Sequence, residues 1–275
     1  MALVEGNSIR STCRMTGVAK GTVLSLLADL GTACANYHAE HVRNVSSRRI
    51  QCDEIWSFCY GKEKAISAEK KAQGWGSLWT WTGIDADSKL VISYLCANRD
   101  ASSALSFMKD LASRLTTRVQ ITTDGLKVYA EAIDGVFGLD VDYAMLIKLY
   151  GSPTQAETRY SPGVCIGTES HVVIGRPERE HISTSYVERQ NLTMRMSMRR
   201  FTRLTNAFSK KLENHLHMLA IYFMFYNFCR VHKTLRVTPA MESGLAHHVW
   251  TIDELVKLME PRSILDGITF AARPS

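Results

Sequence analysis

RIQCDEIWSFCY, residues 49–60, is the stretch on which the reading of this chain turns. Its Ile, Cys, Trp, Phe and Tyr side chains have the β-branched and aromatic texture of a packed strand, and Asp53 and Glu54 sit at its middle. Successive strand residues face opposite sides of a sheet, so Glu54 is expected to point away from Asp53. LWTWTGID (78–85) and KLVISYLCA (89–97) repeat the texture, and Asp85-Ala86-Asp87-Ser88 supplies the turn between them. A charged loop, KEKAISAEKKAQGWG, separates the first two strands.

Working outward, a helix is expected over 102–115 with Ala104, Phe107, Met108 and Leu111 inward, then a strand over 119–123 that ends at Asp124-Gly125. A helix over 127–137 and a strand over 141–146 follow. Three strands, helix, strand, helix, strand and a last helix is the ribonuclease-H-like order, an α/β mixed sheet with helices on its faces. Residues 147–181 are longer than a plain connection requires and read as an insertion.

The last helix of that layout is expected within HISTSYVERQNLTMRMSMRRFTRLTNAFSKK, residues 181–211. At 3.6 residues per turn, Val187, Asn191, Met194, Met198 and Phe201 share one face, which reads as core, and Glu188, Leu192, Arg195 and Arg199 share another. From Glu188 to Lys211 there are seven cations (Arg189, Arg195, Arg199, Arg200, Arg203, Lys210, Lys211) against one acid, a surplus as large as the whole chain's net charge of +6. Such a concentration suits a polyanion. The plainer alternative is a capping box, with Ser185 and Glu188 tying down the helix start.

Before the sheet, residues 8–31 read as two short helices broken at Gly17, with Ser8 as N-cap, Gly31 as terminator and Val23, Leu26, Leu27 and Leu30 as the apolar stripe. A helix-turn-helix that places Lys20 and Thr22 on DNA fits this pattern, as does an ordinary helical hairpin. Residues 33–47 read as a polar connector helix, and 210–230 as an aromatic-rich core helix. The expected organisation is thus 1–47 helix-turn-helix and connector, 48–204 catalytic, and 205–275 helical. Seven scattered cysteines without a Cys-x-x-Cys pair argue against a disulfide framework or zinc ribbon. With no apolar run of membrane length and no signal-peptide pattern, the cytoplasm is the expected compartment.

In the ribonuclease-H-like layout the first strand's midpoint, the fourth strand's end and the last helix's start meet at one edge. Asp53, Asp124 and Glu188 occupy those places. Three hard oxygen ligands with open positions suit a pair of Mg²⁺ ions, or Mn²⁺ in their stead, about 3.5–4 Å apart on a phosphodiester. Lys127 and His232 are further candidates for phosphate contact, each equally readable as a solvated or structural side chain.

QCDEIWSFCY, WTWTGIDADSKL, QITTDG, HISTSYVERQNLTMRMSMRRFTRLTNAFSKKLENH, YNFCRVHKTLRVTPAM and EGNSIRSTCRMTGVAKGTV together resemble the insertion-sequence-one family of DDE transposases, over roughly residues 5 to 260. The resemblance implies a prokaryotic mobile-element enzyme that cuts double-stranded DNA at terminal inverted repeats and joins the freed 3′-hydroxyl to a target. It implies two Mg²⁺ ions on Asp53, Asp124 and Glu188, a phosphate contact at Arg195, and a dimer or larger assembly on DNA. A His often follows the Asp-Gly pair in relatives; Leu126 stands there in this chain. A transposase-derived DNA binder without chemistry, and another nuclease on the same fold such as a junction resolvase, are the alternative readings.

Overall fold

The computed structural model describes residues 1–63, 66–71, 75–151, 165–202 and 206–259. The first strand, β1 (Arg49–Cys59), lies inside a six-stranded mixed sheet. β2 (Gly76–Asp85) pairs with it antiparallel on one side and β3 (Val91–Ala97) pairs antiparallel with β2. On the other side β4 (Val119–Thr123) runs parallel to β1, with Cys52 opposite Thr123, and β5 (Val141–Tyr150) runs parallel to β4. Parallel neighbours need crossovers. These are α4 (Ala101–Ala112), between β3 and β4, and α5 (Val128–Phe137), between β4 and β5. Ala104, Phe107, Met108 and Leu111 are all buried, as their spacing requires. A short α3 (Ala68–Lys71) lies in the charged loop.

The stretch read as an insertion extends the sheet. β5 continues to Tyr150, four residues beyond its expected end, and β6 (Cys165–Ile174) pairs with it antiparallel as the outer strand. Polar, largely exposed side chains on β6 hid it from a reading keyed to buried texture.

α6 (Ser185–Ser197) crosses the sheet face over β1. Its core face is the expected one: Val187, Asn191, Met194 and Met198 are buried, and Phe201 beyond them. The helix does not run on to Lys211. Met198 turns extended (φ −126°, ψ 110°), a 3₁₀ turn follows at Arg199–Phe201, and Ser209 then bridges to Cys59 at the end of β1. Ser185 and Glu188 form no capping box. Gln51 of β1 caps α6 instead, its Oε1 accepting from the backbone N–H groups of Tyr186 (2.8 Å) and Val187 (3.2 Å). Two of the helix's orphan donors are thus met by a strand side chain.

At the N-terminus α1 (Ile9–Thr16) begins at Ser8, whose hydroxyl accepts from Ser11 N–H, and ends at left-handed Gly17 (φ 71°). After a bend of 118°, α2 (Lys20–His41) continues as one helix through Gly31 and absorbs most of the expected connector. Gly31 therefore does not end a helix. It lets α2 press against α7 (Leu212–Met224), for a Cβ there would lie 2.4 Å from the His217 Cβ and 2.6 Å from its Cα. Val23, Leu27 and Leu30 are buried, whereas Leu26 is 45% exposed. α7 passes into a π-helical turn, Phe225–Cys229, followed by α8 (Pro239–Glu242) and α9 (Ile252–Lys257). One continuous core draws on α2, β1, α4, α6, α7 and α9. No single helix among the described residues is long and apolar enough to cross a membrane.

All seven cysteines are free. His38 and His215 are buried structural histidines, each held down to about 3, first by burial and then by Arg114 and Arg200 respectively.

Replacing Gly31 by Ala should cost about 1–3 kcal/mol, since the backbone of α7 must retreat to admit a methyl group. Denaturant unfolding of Gly31→Ala beside Gly21→Ala, where a Cβ meets open space, measures this. Equal stability of the two variants would show that the helices can part at no cost.

Candidate functional site

The parallel register between β1 and β4 builds the site. With Cys52 opposite Thr123, the next residue on each strand is a carboxylate, so Asp124 emerges at the strand end beside Asp53. Ligand oxygens of Asp53, Glu54 and Asp124 all lie within 4.8 Å of one another. Glu54 is the departure from the alternation rule. Its carboxyl is buried behind the strand, yet Asp124, free of the sheet's pleat at the end of β4, reaches both acids.

Each oxygen has a defined partner. Asp53 Oδ1 accepts from Glu54 N–H (2.8 Å) and Oδ2 from the Asn191 amide of α6 (2.8 Å). Asp124 Oδ1 accepts from Leu126 N–H (3.0 Å). Glu54 takes Arg99 Nε on Oε1 (2.6 Å) and the Tyr129 hydroxyl on Oε2 (3.0 Å). Arg99, whose guanidinium lies over the Trp79 ring, also approaches Asp124 at 3.9 Å. Glu54 is matched to the guanidinium at hydrogen-bond distance, Asp124 meets it only at 3.9 Å, and Asp53 has no ion pair among the described residues. Asp53 and Asp124 are the better metal ligands and Glu54 holds Arg99 in place.

Burial, then the neighbouring Glu54 and Asp124 carboxylates, push Asp53 up to about 7. Glu54 is also raised, first by burial and then by Asp124, against the pull of Arg99. Crowded carboxylates of this kind are what a divalent cation relieves. The Asn191 Oδ1, in a residue 8% exposed beside Asp53, has no hydrogen-bond partner among the described residues, a further hard oxygen near the same place. The donor set therefore fits Mg²⁺ or Mn²⁺.

Glu188, in the first turn of α6, lies outside the 4.8 Å group, though its charge adds the smallest of the upward pushes on Asp53. Its Oε1 accepts from the Thr184 hydroxyl (2.6 Å) and its Oε2 is paired with Lys148 of β5. Burial opposes the charge on Lys148, but the bond to Glu188 outweighs it and the ammonium titrates above its ordinary value. Lys148, Arg99, Glu54 and Asn191 were not foreseen. Lys148 lies beyond the expected end of β5, and Arg99 in a strand-to-helix connection.

The expected DNA contacts divide by surroundings. Lys20, Thr22, Lys127, Arg189, Arg199, Lys210 and Lys211 are exposed, and Lys127 and Arg189 flank the carboxylates in sequence. Arg200 turns inward, donating to Ser209 Oγ (3.1 Å) and the Asn214 carbonyl (2.6 Å), and burial lowers it to about 10. Arg195 donates to the Phe201 carbonyl (3.3 Å). His232 is half-buried and held down by burial and by Lys89, Arg230 and Arg189 around it. Arg203 lies outside the described residues.

No family model matches the sequence, and no curated protein matches it. Among solved structures the chain is similar to a cryo-EM structure of the piggyBac transposase synaptic complex with hairpin DNA, at 10% identity and a TM-score of 0.31. The match covers 78% of this chain and 52% of that one, so the chain spans about half the length of that protein.

In metal-free buffer the raised Asp53 has a definite consequence. The folded state holds a proton between about pH 4 and 7 that the unfolded state releases, so stability falls as pH rises through that window. Asp53→Asn should flatten this dependence and melt higher than wild type at pH 8, with the gain vanishing near pH 4. Thermal melts in EDTA across pH 4–8 test it; a variant less stable than wild type at pH 8 would show that the carboxylate is not under strain.

Proposed function

We propose that this chain is a DNA transposase of the DDE type, cutting a phosphodiester at the end of a mobile element and transferring the freed 3′-hydroxyl, with Asp53, Asp124 and Glu188 as its metal-binding acids. The observation that carries this reading is the meeting of Asp53 and Asp124 at the β1–β4 edge with Glu188 on the helix that crosses it. The insertion-sequence-one-like motifs lie on these same elements.

Two Mg²⁺ ions, when bound, would supply Lewis acidity and an activated water at the scissile phosphate. Asp53 and Asp124 would hold one ion between them and Glu188 the other. Asn191 fixes Asp53 through Oδ2 and so sets which of its lone pairs face the site. Arg99 balances Glu54, so the cluster does not carry a third uncompensated charge. Lys148 occupies Glu188 until that carboxylate is needed, and its ammonium is then close enough to the site to meet a phosphate oxygen. Lys127 and Arg189, both exposed, would hold the flanking backbone. A nucleophile delivered as water and then as a 3′-hydroxyl requires no covalent bond to the protein. A dimer or larger assembly would be needed to bring two ends together, with the cytoplasm of a prokaryote as the setting.

The test is a Mg²⁺-dependent cleavage assay on duplexes made from the DNA bordering the gene. Wild type should nick at the element boundary and leave a 3′-hydroxyl. Asp53→Asn and Glu188→Gln should each lose about 100-fold or more in rate, the equivalent of roughly 3 kcal/mol of transition-state stabilisation, while duplex binding holds. Binding without nicking by wild type in Mg²⁺ or Mn²⁺ would make the chain a DNA binder instead. Cutting of branched substrates in preference to boundary duplexes would point to a resolvase.

A further inference from the structure

The second concentration of charge on the molecule is a cavity of about 950 Å³ between the N-terminal helix pair and the segment that follows α6. Arg10 and Arg14 of α1 and Lys20 at the start of α2 form one wall; Arg199, Lys210 and Lys211 form the other. All six are exposed. No acid lines the cavity, and none of the six makes an ion pair among the described residues. Arg200 braces the floor through Ser209 and Asn214, and Lys210 is held with its ammonium 3.7 Å from the centre of the Phe208 ring.

We infer that this cavity is a clamp for the phosphate backbone of duplex DNA, binding it without regard to base sequence. Six cations around one cavity are more than a single small anion needs, whereas a duplex offers a charge about every 1.7 Å along its axis. Lys20, which a base-reading helix would present to a major groove, here lines the same cavity as Arg199, Lys210 and Lys211, so the corner between α1 and α2 grips rather than reads. The clamp also has a fixed place relative to the carboxylates. Glu188 lies in the first turn of α6 and Arg199 just past its end, with about 14 Å of helix between Glu188 and Ser197 at 1.5 Å per residue. That length corresponds to about four base pairs at 3.4 Å per pair. This placement rests on the nuclease reading above; the clamp itself does not.

The experiment is titration of labelled duplexes by Asp53→Asn protein in EDTA, so that no chemistry is involved, at several salt concentrations. Arg14→Gln/Lys20→Gln should weaken binding about 10-fold or more on boundary and scrambled duplexes alike, and reduce the slope of log K against log salt by roughly 2, as expected for two lost phosphate contacts. Lys210→Gln/Lys211→Gln, on the other wall, should do the same, and Lys109→Gln/Lys257→Gln, on exposed faces of α4 and α9, should change neither quantity. An unchanged slope in both wall variants would overturn the clamp, as would a loss confined to the boundary sequence, which would mean base reading. Inorganic phosphate or pyrophosphate competing at micromolar levels would overturn it in favour of a small-anion site. If wild type never nicks but the wall variants lose binding as described, the clamp stands and the nuclease reading falls; if nicking is seen and the slopes are unchanged, the reverse holds.

Discussion

The parallel pairing of β1 with β4 is the constraint from which the site follows. A shift of one residue between them would carry Asp124 away from Asp53 and reverse the face of every side chain on the shifted strand. The register is held from both sides, since β1 is also locked antiparallel to β2 from Ile50 to Cys59. Three residues of that one strand then act in concert. Gln51 caps α6 and fixes where its first turn sits, Asp53 receives Asn191 from the same helix, and Glu54 anchors Arg99 on the other side. Positioning of the helix that carries Glu188 is therefore written into the strand that carries Asp53.

Gathering carboxylates at a partly buried edge costs stability, and the molecule offsets that cost with cations of its own. Arg99 is anchored on Glu54 and leans toward Asp124, while Lys148 holds Glu188. The two differ in kind. Arg99 is fixed by two contacts to a buried acid and by the face of Trp79, so its displacement would leave Glu54 uncompensated in the interior. Lys148 sits on a partly exposed pair on an extended strand near the sheet's outer edge, and its long side chain can swing to water at little cost. Of the two counterions, Lys148 is the one that can leave its carboxylate.

Much of this was legible in the chain. The order of strands and helices, the buried face of α6, the Ser8 cap, and the identity of Asp53 and Asp124 as edge acids follow from side-chain texture and period. What was illegible has physical reasons. Alternation along a strand describes where Cβ atoms point, but not how far a residue just past the strand's end can reach, so Glu54 was set apart from the site. A periodic pattern continues through residues 199–211 although the backbone does not, because Met198 turns extended and Ser209 is claimed by Cys59. Gly31 has the residue type of a helix terminator and the role of a contact surface, a distinction that only the partner helix reveals. β6 is an outer strand with polar sides and carries none of the texture that marked the others.

Counting charge along residues 188–211 gave a single basic stripe; the fold divides it. Arg200 and Arg195 bond to backbone carbonyls, while Arg199, Lys210 and Lys211 swing round to meet Arg10, Arg14 and Lys20. The acid stays at the first turn of α6 and, Arg189 beside it apart, the described cations gather at and beyond its last, the arrangement that the helix dipole favours at both ends. It also keeps two unlike tasks apart. Ammonium and guanidinium groups crowded against the carboxylates would compete with a divalent cation for the same oxygens, whereas a helix length away they are screened from the acids and free to hold phosphate. On the proposed reading, a surplus of positive charge and a nest of carboxylates then serve one polyanionic substrate from the two ends of α6.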